Sequence, residues 1–154
     1  MNVSRRPLLV AAAVLSFAAV ALALVSQHVF DMQPCPWCVL QRLIFAVIGV
    51  VCLVALAAPR AGSAVVLLLC ACGMVAALWQ HFVAASSDSC KLTLAERIIS
   101  GLGLDGLAPE VFQARASCAD AAVSMLGVPY EFYSLALFVV LAALGWRVLA
   151  GRTG

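Results

Sequence analysis

Residues 35–57 read CPWCVLQRLIFAVIGVVCLVALA, two cysteines around a Pro-Trp pair followed by a run in which Arg42 is the one charged residue. From Val39 to Ala57 the run approaches the ~20 apolar residues that a helix rising ~1.5 Å per residue needs to cross about 30 Å of hydrocarbon. Arg42 sits one turn inside its start, where a long side chain can snorkel to water. The stretch predicts a membrane-spanning helix that opens on a cysteine pair.

Three further runs of this kind flank it: Leu8 to Ser26, Ala64 to Val83 and Glu131 to Leu149. The runs from Leu8 and from Ala64 carry no charge, and the last carries Glu131 and Arg147 only near its ends. Of 154 residues 66% are hydrophobic, against about 45–50% in an average soluble domain, and they come in blocks that a small water-soluble core could not bury. An ordinary cytoplasmic globule is excluded. Only 10% of the residues are charged and the formal net charge is +2. A phosphate-reading surface needs clustered Lys and Arg, so nucleic-acid binding is excluded too. No internal repeat is present.

Lys and Arg in short loops stay on the cytoplasmic side. Arg5 and Arg6 precede the first run, Arg60 lies in the tight link between the second and third, and Arg147 and Arg152 close the chain, so four spans put all five on one face. The opposite face takes Asp31, Asp88, Glu96, Asp105, Glu110, Asp120 and Glu131. The expected fold is therefore all-α, an integral membrane four-helix bundle forming one membrane domain over residues 1–154, with both termini cytoplasmic. Its outer loops are residues 27–38 and the long segment 84–130. A cleaved signal peptide is the other reading of residues 1–26, since Ser4-Arg5-Arg6 resembles a twin-arginine start and Ala21-Leu22-Ala23 a cleavage site. A signal core runs about 7–15 residues, whereas this apolar block continues to Val25, and the charge pattern fits four spans better than three.

The long loop has soluble texture. Thr93-Leu94-Ala95-Glu96 reads as a capping box, with a short helix to Gly101 that sets Leu94, Ile98, Ile99 and Leu102 near one face. Such a helix lies on the membrane surface or packs on the bundle. Gly101, Gly103, Gly106 and Pro109 then break the chain into turns before a second short segment near Cys118.

Seven cysteines divide by position. Cys52, Cys70 and Cys72 fall inside spans, where a thiol is a small apolar filler. Cys35, Cys38, Cys90 and Cys118 fall on the outer side, two per loop. Four cysteines allow three connectivities, but Cys35-Pro-Trp-Cys38 has the spacing of a redox disulfide. Two permanent staples and a zinc site are the other readings; zinc is the weaker, because its ligand pairs are spaced more tightly. Arg42, four residues after Cys38, shares its helical face and stabilises a thiolate there, as does the helix N-terminus. Interface anchoring is the other role open to Arg42. His81, after Trp79 and Gln80 at the outer end of the third span, is a proton acceptor at the same depth, although Trp and His are also ordinary interface residues. His28 and Asp31 are weaker candidates of the same kind.

Cys35-Pro-Trp-Cys38-Val-Leu-Gln-Arg42 at the mouth of a membrane helix resembles the signature of the disulfide bond formation protein B family, DsbB. The likeness extends to the Trp79-Gln80-His81 end of the third span, a second cysteine pair about thirty residues apart, and Ser117-Cys118-Ala119 followed by Leu126-Gly127-Val128-Pro129. The resemblance implies an inner-membrane oxidase that reoxidises a periplasmic thioredoxin-fold partner of DsbA type and passes electrons to ubiquinone or menaquinone. It implies that Cys90 accepts the partner's thiolate, that Cys118 is the loop partner of Cys90, and that Cys35 exchanges with this pair. Cys38 would face the quinone with Arg42, and His81 would lie near it. The aromatic residues that often follow the last cysteine in the family are absent; Ala121-Ala122-Val123-Ser124 stands instead.

Vitamin K epoxide reductase homologues are similar in using four helices, quinones and two cysteine pairs. They place the CxxC near the last span, after the loop pair, whereas here it opens the second. From other classes come a membrane scaffold stapled by two permanent disulfides and a thiolate-based metal transporter. The latter lacks charged or His ligands beside its mid-membrane cysteines.

Overall fold

The computed structural model describes residues 5–86 and 93–151. Four long helices form a bundle: α1 (Arg5–Val29), α2 (Pro36–Val54), α3 (Pro59–Phe82, prolonged by a 3-10 turn at Ala84–Ser86) and, at the end of the chain, α7 (Tyr130–Ala150). All four are long and apolar enough to cross a membrane. Between α3 and α7 the loop carries the short helices α4 (Leu94–Gly101), α5 (Leu104–Leu107) and α6 (Pro109–Phe112), then strands β1 (Ser124–Met125) and β2 (Val128–Pro129). The all-α class holds, the two-residue hairpin aside.

Packing runs round a ring, α1 on α2, α2 on α3, α3 on α7 and α7 back on α1. An Arg5 Nη2 to Gly151 carbonyl hydrogen bond ties the start of α1 to the end of α7. Leu9, Ile48, Val66, Phe138, Leu141 and Val148 fill the interior, while Val14, Leu22, Leu68, Val75 and Trp146 point outward. An apolar exterior around an apolar core is the pattern of a multi-pass membrane protein.

Helices in lipid gain no hydrophobic drive from meeting each other, so close packing over small residues holds them. Phe138 stacks on Phe45 with ring centroids 4.1 Å apart, and its ring lies so close over Gly73 that a Cβ there would collide with it. Gly49 receives the Phe17 ring in the same way, a built Cβ lying 2.7 Å from its tip.

All four long helices begin before the runs read in the sequence, α1 at Arg5 rather than Leu8 and α7 at Tyr130 rather than Glu131. The second helix begins at Pro36 rather than Val39, because Pro supplies a preset φ at the first helical position and Cys35 serves as N-cap, its sulfur accepting the Cys38 N–H. The third begins at Pro59 rather than Ala64, Pro again occupying the first turn; Arg60 and Gly62, read as link, are helical. The link between α2 and α3 is shorter in consequence, and Gly62 packs directly on Ala55.

The predicted capping box is present. Glu96 N–H donates to Thr93 Oγ1 at 3.2 Å and Thr93 N–H to Glu96 Oε2 at 2.8 Å. Helix α4 rests on α2, but it buries Ala95 and Ile99, leaving Leu94, Ile98 and Leu102 outward. The predicted face is thus split, with Ile99 alone of its members turned fully inward.

The hairpin pairs Ser124 with Pro129 and Met125 with Val128. Leu126 (φ 53°) and Gly127 (φ 80°) turn it, both in the left-handed region that a tight two-residue β-turn demands. Tyr133 Oη donates to the Met125 carbonyl at 2.8 Å and fastens the hairpin to α7.

Candidate functional site

Cys35 and Cys38 form a disulfide across the first turn of α2. Cys35 is the cap and Cys38 lies within the turn, so both sulfurs sit at the positive end of the helix, which favours a thiolate. Cys35 is wholly buried.

The long loop folds back onto this turn. Arg115 and Ala116 N–H groups donate to the Pro34 carbonyl at 3.0 and 3.3 Å, next to Cys35. Two residues further on, Cys118 is buried and free of a disulfide within the described residues. Its thiol is pushed up from the ordinary range by burial, with the Trp37 backbone pulling the other way and the charges of Glu96 and Glu131 adding to the rise. Cys118 is therefore seated against the Cys35–Cys38 turn through Trp37. Cys90 lies outside the described residues, as do Asp88 and Arg152.

Arg42 is 6% exposed, and its guanidinium hydrogen-bonds to α1 and α6 rather than to the sulfur predicted to be its partner. Nη1 donates to Gln27 Oε1 at 2.7 Å and to the Val111 carbonyl at 3.2 Å, and Nη2 to the Ala23 carbonyl at 3.1 Å. Sharing a helical face with Cys38 fixes the direction of the Arg42 stem, but the long side chain reaches across to α1 and α6. All three acceptors are neutral, so the positive charge is held and not cancelled.

The sulfur of Cys38 instead receives Gln80 Nε2 at 3.4 Å. Gln80 Oε1 in turn accepts from Gln41 Nε2 at 2.8 Å, and both glutamines are buried. A pair of amides inside a lipid-facing bundle is costly unless each group finds a partner; here the chain of donors ends on the redox sulfur. Neither glutamine is among the site residues read from sequence, although both stand inside the motifs that carry the family resemblance.

A cavity of about 450 Å3 opens beside Cys38, lined by Cys38, Gln41, Arg42 and Phe45 of α2, Gln80 of α3, Ala19, Leu22 and Ala23 of α1, Met125 of the hairpin, and Tyr130, Glu131 and Leu137 of α7. Small-molecule sites span about 300–1,000 Å3 and combine apolar walls with a few convergent polar groups. This cavity has that composition. Arg42, Gln41 and Gln80 are among its polar groups, and Leu22, Phe45 and Leu137 among its apolar walls.

His81 does not line the cavity. Its Nδ1 lies 2.6 Å from Glu131 Oε1, and its ring packs edge-on against Phe82 and Phe132. Glu131, read from sequence only as a charge at the edge of a span, does line it. His28, weighed as a lesser candidate, pairs at the surface with Glu110, its Nε2 3.2 Å from Oε2. Cys52 and Cys70 are buried thiols in the bundle, as expected of fillers, while Cys72 faces outward.

A four-helix membrane bundle with a disulfide at the mouth of its second helix, a third cysteine seated against it and a cavity beside it is the frame of a membrane thiol–disulfide protein. The family profile described as Disulfide bond formation protein DsbB matches residues 5–148. The chain belongs to this family. It is similar to Disulfide bond formation protein B of Herminiimonas arsenicoxydans, 33% identical over 142 residues that cover 89% of this chain and 90% of the relative. It is also similar to that of Ralstonia nicotianae, 35% identical over 150 residues covering 92% of each, and that of Azoarcus sp. strain BH72, 32% identical over 158 residues covering 97% of this chain and 95% of the relative. No solved structure matches.

Proposed function

We propose that the chain is a quinone-dependent thiol:disulfide oxidoreductase of the bacterial inner membrane, with both termini cytoplasmic and its loops in the periplasm. It reoxidises a thioredoxin-fold dithiol protein of DsbA type and so generates disulfides for protein folding. The observation that carries this reading is that one disulfide touches two environments. Cys118 of the loop reaches the Cys35–Cys38 turn from one side, and the cavity meets Cys38 from the other.

The partner's thiolate attacks Cys90 of a Cys90–Cys118 disulfide, forming a mixed disulfide and releasing the Cys118 sulfur. The partner's second thiolate then resolves the mixed bond and leaves oxidised, with two electrons now on the loop pair. That pair exchanges with Cys35–Cys38 by attack at Cys35, which releases Cys38 as a thiolate; a second exchange restores the loop disulfide. Cys38 is suited to the leaving role, because the Gln80 N–H, the uncancelled charge of Arg42 and the helix N-terminus all favour its anion.

Ubiquinone or menaquinone, bound in the cavity, supplies a two-electron, two-proton acceptor. Arg42 and Gln41 would hold it by its oxygens, with Phe45 and Leu137 against the ring and His81 approaching through Glu131. The arrangement sets Cys38 on the cavity wall, with Cys118 of the loop packed in the same apolar cluster as Cys35 and Trp37.

The test is steady-state quinone reduction by the detergent-purified protein, driven by a reduced thioredoxin-fold dithiol. Cys38→Ser should abolish it. Cys90→Ser should block turnover with the partner while the Cys35–Cys38 pair still exchanges electrons with quinone. Equal loss of partner binding in both variants would contradict the ordering, and wild-type protein inert with either quinone would favour a stapled scaffold.

A further inference from the structure

Glu131 is the sole carboxyl among the described residues lining the cavity. It is 5% exposed, sits in the first turn of α7, and has His81 as its ion-pair partner at 2.6 Å. An ionisable side chain at membrane depth is expensive to bury and commonly serves function. His81 differs in being 31% exposed at the last turn of α3, the end that carries the long loop. The two therefore join the outside of the bundle to the inside of the cavity in two steps.

We propose that His81 and Glu131 form a proton relay into the cavity. This rests on the oxidoreductase reading above and assigns the source of a proton that reading requires. Closing the Cys35–Cys38 disulfide delivers two electrons to the quinone, and two protons must reach the quinone oxygens. With Cys38 as thiolate, the Cys35 thiol carries the single proton that the dithiol can give. The other has to be brought in. His81 takes a proton from water at Nε2 and gives one from Nδ1 to Glu131 Oε1, and Glu131 releases it into the cavity. The same short contact is made with Nδ1–H donating to a carboxylate or a carboxylic O–H donating to Nδ1, so the proton has a place on either side. The imidazole resets by tautomer exchange.

The other titratable groups lining the cavity do not duplicate this path. Arg42 keeps its protons, Tyr133 Oη is engaged with the Met125 carbonyl, and Cys38 is the redox atom. Tyr130 also lines the cavity, its ring paired with that of Tyr133. Cys118, which feels the Glu131 charge, belongs to the exchange step.

The experiment compares full-length wild type, Glu131→Gln and His81→Phe in quinone reduction driven by a reduced thioredoxin-fold dithiol. The relay predicts that kcat falls about tenfold or more while KM for quinone stays within about twofold. It also predicts rescue by added formate in Glu131→Gln and by imidazole in His81→Ala. A readout independent of turnover is the infrared carboxyl band of quinone-free protein, assigned by its loss in Glu131→Gln. Its frequency should shift in His81→Phe, because the carboxyl then loses the ring nitrogen 2.6 Å from its Oε1. If Glu131→Gln does not fold, the shift of the band in Glu131→Asp assigns it instead and His81→Phe carries the kinetic test. Variants with wild-type kcat, or a loss that no small acid or base restores, would reduce the pair to a structural tie. Wild-type protein that reduces no quinone would overturn the oxidoreductase reading itself.

Discussion

Gln80 donates its side-chain N–H to the sulfur of Cys38 at 3.4 Å, across the α2–α3 interface. Its carbonyl is held by Gln41, which fixes the amide so that the donor end faces the sulfur. A donor lost to a thiolate costs the reduced state about 1.5 kcal/mol, or about 30 mV for a two-electron couple. Gln80→Leu should therefore make the Cys35–Cys38 couple more negative by roughly that amount, measured by equilibration with a dithiol buffer. An unchanged potential would leave the amide pair a packing feature. Gln41→Leu should have a smaller effect in the same direction.

Arg42 makes three hydrogen bonds to neutral acceptors on α1 and the α6 segment. Arg42→Ala removes the charge at the cavity and leaves those buried acceptors unpaired, at about 1–3 kcal/mol each for groups that find no water. The expected result is a rise of about tenfold or more in KM for quinone, corresponding to ~1.4 kcal/mol, with the helical fold retained by circular dichroism. Arg42→Lys should fall between, since it keeps the charge without the planar fork. Quinone kinetics unchanged in Arg42→Ala would confine Arg42 to tethering the loop.

The Phe138 ring lies over Gly73 with no room for a Cβ. Gly73→Ala should displace the ring from its stack on Phe45 and destabilise the bundle by about 1–3 kcal/mol, the usual cost of overpacking. Thermal unfolding in detergent measures it. Gly101→Ala is the control, because a Cβ there meets nothing within 4 Å.

Glu110 accepts hydrogen bonds from His28 and from Arg115, and these hold its exposed carboxyl below the ordinary range. A depressed carboxyl means that its contribution is fully present above the unfolded-state value and is lost as pH falls through the folded one. Below about pH 4 the tie between α6 and the end of α1 should therefore loosen. Hydrogen-exchange protection at residues 110–113, measured against the intrinsic rate at each pH from 7 downward, should fall there, and Glu110→Gln should abolish the transition.

The four spans were legible in the sequence because each is a block of apolar residues, and hydropathy reports membrane helices directly. The capping box and the redox pair were legible because they are local, their partners lying within three residues. What escaped reading joins distant elements. Gln41 and Gln80 meet across 39 positions and His81 and Glu131 across 50, and such contacts depend on how each helix is rotated about its axis. Rotation is weakly encoded when a helix is apolar on nearly every side. Arg42 shows the same limit from the other direction: its position on Cys38's face was readable, but the reach of its side chain to Gln27 was not.

The central claim is that electrons leave the chain through Cys38 into the cavity, and single-turnover mixing tests it most directly. Protein reduced at Cys35 and Cys38 is mixed with a soluble quinone while quinone reduction and thiol content are followed together. The account predicts one quinone reduced for each Cys35–Cys38 disulfide formed, and none in Cys38→Ser. Quinone reduction that persists in Cys38→Ser, or a reduced pair that stays reduced before both ubiquinone and menaquinone, would contradict it.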